Sequence, residues 1–169
     1  MMMRLLIGAG LAVALTFPSA GFAQDKASQK FLNEAIEGNF AEVQMGQLAQ
    51  KNGSSEGVRS FGQMLAKDHS DANQKATAAA NNLGMTPPTA PNAKQKAAHD
   101  RMAKLSGAAF DRAFAKNMVA DHKKDIKDYE KEAKMSDAAG SYAKEALPTL
   151  HKHLEAAQNL SGMGTTGKR

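Results

Sequence analysis

Between about residues 26 and 160, small and apolar side chains return every three or four residues through four long runs, each closed by Gly, Pro or Ser. That spacing gathers one stripe on a helix of 3.6 residues per turn; a strand would need alternation at every second residue. Ala, Lys, Gln, Glu, Met and Asn dominate and β-branched residues are scarce, a mixture that favours helix. Four amphipathic helices of similar length, with two tight connections and one longer one, predict an all-α chain folded as an antiparallel four-helix bundle.

The first segment is expected over residues 26–51, with a stripe of Phe31, Ala35, Gly38, Glu42, Met45 and Ala49, and Asn52-Gly53 stops it. Ser54 or Ser55 supplies a capping oxygen for the second. Its stripe is Val58, Phe61 or Gly62, Leu65, His69, Ala72, Ala76, Ala79 and Leu83, and Gly84 ends it. Pro87, Pro88 and Pro91 keep residues 85–92 out of any helix, so this stretch is an extended Pro-rich crossover. Residues 94–105 form a short extra helix between the second and third long ones. The third long segment, residues 108–135, carries Asp111, Ala115, Met118, His122, Ile126, Tyr129 and Ala133 on its stripe. Ser136-Asp137 caps the fourth, which reaches about residue 160 on Ala143, Ala146 or Leu147, Leu150, His153, Ala157 and Leu160. Pro148 is expected to kink this helix or displace its start. Residues 162–169 hold no apolar anchor and read as a flexible tail.

The first residues bear on the compartment. Arg4, an apolar run over residues 5–17, Pro18 and the small residues of Ser19-Ala20-Gly21-Phe22-Ala23 make the three-part pattern of a secretory signal peptide, with cleavage expected after Ala23. The run is shorter than the ~20 residues a membrane-spanning helix needs, and no second such run follows. The expectation is therefore an exported, periplasmic protein with a signal peptide at 1–23 and a bundle domain at 24–161. It has no cysteine, hence no lipoprotein anchor and no disulfide; packing must hold the fold, aided at most by an ion. The 22 basic and 17 acidic residues are mixed along every segment, Trp is absent and Tyr occurs twice. A nucleic-acid partner would need a concentrated basic face with stacking aromatics, so none is expected. A mild positive charge suits loose contact with anionic envelope lipids; a homodimer is the other partner left open.

The informative residues are polar ones on apolar stripes. Three of the five histidines, His69, His122 and His153, fall on the inward stripes of three different helices, and Glu42 falls on that of the first. Buried imidazoles and carboxylates are costly unless paired or ligated, and bundles hold metal ions with such groups. Depth supports the set: His122 lies 14 residues before Ser136 and His153 lies 17 after it, an offset of ~4 to 5 Å at ~1.5 Å per residue. Glu42 is offset from His69 by ~7 to 8 Å on the same count. Glu37 is level but on another stripe, and Glu34 is a further candidate. Asp111, on the stripe of His122, is expected to bond a neighbouring helix start or a His nitrogen. Asp68 and Asp121 each precede a histidine and point ~100° away from it, which suits exposed or supporting residues better than ligands. His99 and His151 are expected on the surface. Phe61 and Phe114 each stand eight residues before a histidine, an echo between two helices.

Other chemistry is thin. A di-iron bundle needs Glu-x-x-His on two helices and a Glu on each of the others, but Ala66, Val119 and Leu150 stand three before the histidines. No nucleophile motif or phosphate loop is present. What remains is a mononuclear site of His69, His122 and His153 with Glu42, and Asp111 or Glu37 as supporting or alternate residues. Imidazole-rich ligation suits zinc, iron, copper or nickel.

Several short motifs resemble one family. Phe31 with Glu42-Val43 and Leu48-Ala49, Val58-Arg59-x-Phe61 and Asp68-His69 resemble the opening half of the exported "domain of unknown function 4142" family. Gly107-x-x-Phe110-Asp111, Met118-Val119-x-x-His122 and Leu147-Pro148-x-Leu150-x-x-His153-Leu154 resemble its second half. The resemblance covers residues 31–160 and implies a ferritin-like fold in a bacterial envelope, with Glu42, His69, Asp111, His122 and His153 matching the family's polar pattern. Three roles follow for the chain: a single-metal protein of metal handling or envelope stress; a metal-free structural or interaction protein whose core network fixes helix register; and, against the missing di-iron pattern, a peroxide-consuming oxidase.

Overall fold

A computed structural model of the chain describes residues 20–162, with side chains from Lys26 onward. Five helices occupy them: α1 (Ala20–Asn52), α2 (Glu56–Asn82), α3 (Ala93–Ala103), α4 (Gly107–Glu132) and α5 (Ala138–Leu160). The described residues include no strand. Most of the expected signal peptide, residues 1–19, and the expected flexible tail from residue 163 lie outside the described residues. The first helix is already formed at Ala20, the first described residue, earlier than periodicity suggested.

Capping follows the local chemistry. Ser55 Oγ accepts from the Val58 amide at 3.2 Å and starts α2. Gly84 follows α2 with φ 67°, a left-handed conformation that glycine adopts without a Cβ penalty. Asn92 and Gln95 form a reciprocal capping box on α3, and Asp137 Oδ1 accepts from the Gly140 amide at 2.8 Å at the start of α5. Pro148 lies exposed within α5 without displacing its start.

The short turns fold α1 against α2 and α4 against α5, and the two hairpins pack together with α3 laid along α1. Side chains lock both ends. Asp111 accepts from the Ser54 amide (2.9 Å), the Ser54 hydroxyl (2.7 Å) and the Ser55 amide (2.9 Å), tying the start of α4 to the α1–α2 turn. At the other end Ser28 of α1 meets Glu132 (2.9 Å) and Asp137 (2.6 Å) beside the α4–α5 turn.

The core is divided. One apolar cluster holds Leu32, Ile36, Ala76, Ile126, Tyr129, Tyr142 and Leu150; the other holds Met45, Val58, Phe61, Leu65, Phe110, Phe114 and Met118. His69, His122 and His153, all buried, stand between these halves on their helices. The inward stripe of α1 differs from expectation. Leu32, Ile36 and Asn39 are buried beside Ala35, Glu42, Met45 and Ala49, whereas Phe31 and Gly38 are half-buried. A helix flanked by neighbours on more than one side buries a sector wider than one stripe.

The two hairpin helices α1 and α2 touch backbone to backbone at Gly46 and Gly62. A Cβ on Gly62 would stand 2.6 Å from the Gly46 carbonyl oxygen and 2.7 Å from the Ala49 Cβ. Neither can yield without moving a helix. Gly62→Ala is therefore expected to destabilise the fold by about 1–3 kcal/mol, as overpacking does, read from the midpoint of urea unfolding. Unchanged or raised stability would mean the helices have room to separate.

Candidate metal centre

Each of the three buried histidines comes from a different helix: His69 from α2, His122 from α4 and His153 from α5. Their ring centroids lie 5.2–5.8 Å apart. One ligand nitrogen from each can be chosen so that all lie within 4.8 Å of one another. The expected level placement is thus met, because on each of the three helices the histidine falls between the two apolar clusters.

The outer nitrogens identify which atoms face inward. His69 Nδ1–H donates to Asn39 Oδ1 at 2.9 Å. His122 Nδ1–H donates to the Met118 carbonyl, one turn back on its own helix, at 3.0 Å. The Nε2–H of His153 donates to Asp68 Oδ2 at 3.0 Å. With those three hydrogens outward, each neutral ring keeps a lone pair on its other nitrogen: Nε2 of His69, Nε2 of His122 and Nδ1 of His153. The last two are 3.3 Å apart, and His69 Nε2 is buried with no partner among the described residues. Fixed tautomers held by a carbonyl, an amide and a carboxylate are the usual support of imidazole ligands.

Burial keeps the rings neutral. Desolvation, then the neighbouring rings His122 and His153, pushes His69 well below its ordinary value. Desolvation, then His153, takes His122 down to about 4. For His153 burial also wins, against the raising effect of Asp68. Neutral imidazoles are the form that binds metal.

A hydrogen-bonded chain continues from His69. Asn39 Nδ2 donates to the Tyr142 hydroxyl at 3.1 Å, and the Tyr142 and Tyr129 hydroxyls are 3.2 Å apart. Between α2 and α5 a cleft of 290 Å³ reaches this layer, and its lining includes His69, His153, Asn39, Tyr129 and Tyr142. Phe61 and Phe114, the echoed pair, meet edge to face at 5.8 Å in the half of the core next to the histidines.

The carboxylates go elsewhere. Glu42 is buried, as its stripe required, but it does not join the converging nitrogens. Burial raises its carboxyl well above the ordinary range, aided by Asp121 and Asp125 of α4, and its Oε2 has no partner. Asp111 takes the helix-start option, with no bond to a histidine. Glu37 accepts from Asn92 Nδ2 at 2.8 Å beside the start of α3. Glu34 pairs on the surface with Lys30 at 2.9 Å. Of the two Asp–His pairs, only Asp68 supports a ring, and that ring belongs to α5; Asp121 is held instead by Asn117. His151 is exposed, as expected, and His99 is half-buried on α3.

Neither Asn39 nor Tyr142 stands out in the sequence, and Tyr129 does so only as a member of the α4 stripe. Asn39 lies one turn from both Ala35 and Glu42 on the α1 stripe, which was the available signal.

Fold and site together describe an all-helical bundle with a buried three-histidine cluster. The chain belongs to the family described as a domain of unknown function (DUF4142), whose model matches residues 16–160. No curated protein and no solved structure matches it.

Glu42 gives a pH test. The folded chain holds the Glu42 proton more tightly than the unfolded chain, so stability falls as pH rises from the ordinary value of 4.5 toward the raised folded value. Glu42→Gln keeps the shape and removes that titration. The variant is expected to melt above the wild type near pH ~7.5, with the gap closing toward pH ~4.5. A difference in melting temperature independent of pH would show that Glu42 carries no such penalty.

Proposed function

We propose that the protein binds one transition-metal ion, zinc, iron or copper, through His69, His122 and His153, and serves metal handling or stress tolerance in the bacterial envelope. The observation that carries this reading is the set of three inward lone pairs whose outer N–H groups are all engaged. Such an arrangement is repulsive until a cation occupies its centre. The 3.3 Å between two of the nitrogens is close to the edge of a tetrahedron with metal–nitrogen bonds of about 2.0–2.1 Å, which is ~3.3 to 3.4 Å. One nitrogen of His69 joins the other two within 4.8 Å. A nitrogen-only donor set favours these ions over calcium or magnesium. Export rests on the signal-peptide pattern of residues 1–23, and a ferritin-like ancestry rests on the bundle and the family motifs.

A metal-free reading has one observation in its favour. If His153 carries a second proton, its Nδ1–H donates to His122 Nε2 across the same 3.3 Å while Nε2–H keeps Asp68. The cluster is then a network that fixes helix register. Two facts weigh against it: burial disfavours the imidazolium, and His69 Nε2 still lacks a partner.

Metal analysis of protein purified without a polyhistidine tag separates the two. About one ion per chain is expected after equilibration with zinc, copper or iron, and a His69→Ala, His122→Ala double variant should hold almost none. Asp68→Asn, which leaves the ligands in place but loosens His153, should weaken affinity about 10- to 100-fold. Equal, negligible metal in the wild type and the double variant would end the metal reading.

A further inference from the structure

The cleft between α2 and α5 does more than separate two helices. Its volume of 290 Å³ is that of about ten waters at ~30 Å³ each. Its deep end includes two of the three imidazoles and both tyrosines.

The hydrogen-bond count at that end is incomplete. Asn39 donates to the Tyr142 oxygen, and one phenolic hydrogen serves the contact between Tyr142 and Tyr129. Two phenols carry two hydrogens, so one remains, on Tyr129 or Tyr142 according to which of them donates, without an acceptor among the described residues. A buried hydroxyl donor facing a cavity wants an acceptor in that cavity.

Charge around the mouth is balanced. Lys75 pairs with Glu145 at 2.6 Å, Lys67 with Asp71 at 2.7 Å, and Asp68 serves His153 with Lys152 at 3.9 Å. The cleft therefore selects by size and by the spare donor, not by a large field. Three protein nitrogens around a tetrahedral ion also leave one position for a ligand from outside the protein, the mark that separates exchangeable sites from closed structural ones.

We propose that the α2–α5 cleft delivers a small acceptor-bearing molecule, neutral or singly anionic, to the ion held by His69, His122 and His153, with the spare hydroxyl of the Tyr129–Tyr142 pair as its hydrogen-bond donor. This rests on the metal reading above, and the test keeps the two apart. Cobalt(II) is loaded as a coloured probe and its uptake counted; azide is then titrated while the visible spectrum is followed. Azide should change the cobalt spectrum of the wild type with saturable binding. Ala146→Phe, which adds bulk at a cleft-lining residue that is not one of the histidines, should abolish the azide response in molecules that still hold cobalt. A Tyr129→Phe, Tyr142→Phe double variant should bind azide about tenfold more weakly per bound cobalt, the loss expected for one hydrogen bond. Cobalt uptake with no response to azide would overturn the proposal and leave the metal reading standing. An azide response of wild-type strength in Ala146→Phe, or in the tyrosine double variant, would overturn it too, by placing the ligand outside the cleft. Failure to take up cobalt at all would sink both readings.

Discussion

The structure turns on a conflict in the middle of the bundle: three buried, neutral imidazoles present lone pairs to one another. Each ring is prevented from resolving the conflict by itself. Asn39 holds the hydrogen of His69, the Met118 carbonyl holds that of His122, and Asp68 holds that of His153. Turning any ring over would break an outer bond and bury a donor without an acceptor, at a cost on the order of 1–3 kcal/mol. The rings are thus held with one nitrogen of each turned toward the others.

The rest of the fold supports that layer. Two apolar clusters clamp it from either end of the bundle, and bonds at both ends, from Asp111 to Ser54 and from Ser28 to Glu132 and Asp137, set the axial register of the hairpins. Register matters because a slip of one turn, ~5.4 Å, would carry a histidine out of the layer. The glycine crossing of α1 on α2 brings Asn39 close enough to α2 to orient His69. Helix packing and ring orientation are two parts of one arrangement.

Much of this was legible in the sequence, and the reason is periodicity. Four stripes and their breaks predicted the helices, a cap at Ser54 or Ser55 and another at Ser136-Asp137, and the Pro-rich crossover into a short helix. Counting from the turns placed His69, His122 and His153 together, since rise per residue is nearly constant in helices. The same count warned that Glu42 was displaced, and it stands outside the converging nitrogens. What stayed hidden depends on the angle between helices and not on position along them. Asp68 supports a ring on another helix, and Asn39 looks like an ordinary polar residue until its neighbours are known. Asp111 fitted two destinations, and only the packed turn showed that the helix start claims it.

A cluster without a carboxylate separates this bundle from oxygen-activating two-iron centres, which need bridging carboxylates. Asp68 touches the cluster only through the outer nitrogen of His153, and Glu42 stands outside the converging group with an unpartnered oxygen. Among the described residues the cluster offers three imidazole nitrogens as donors.

The most direct test of the central claim is the protonation pattern of the three rings, read by long-range proton–nitrogen NMR on nitrogen-15-labelled protein before and after one equivalent of zinc. Before zinc, His69 and His122 should carry their hydrogen on Nδ1 and His153 on Nε2; after it, the opposite nitrogen of each ring should shift together as all three bind. Hydrogens found on the inward nitrogens, or rings indifferent to zinc, would contradict the account.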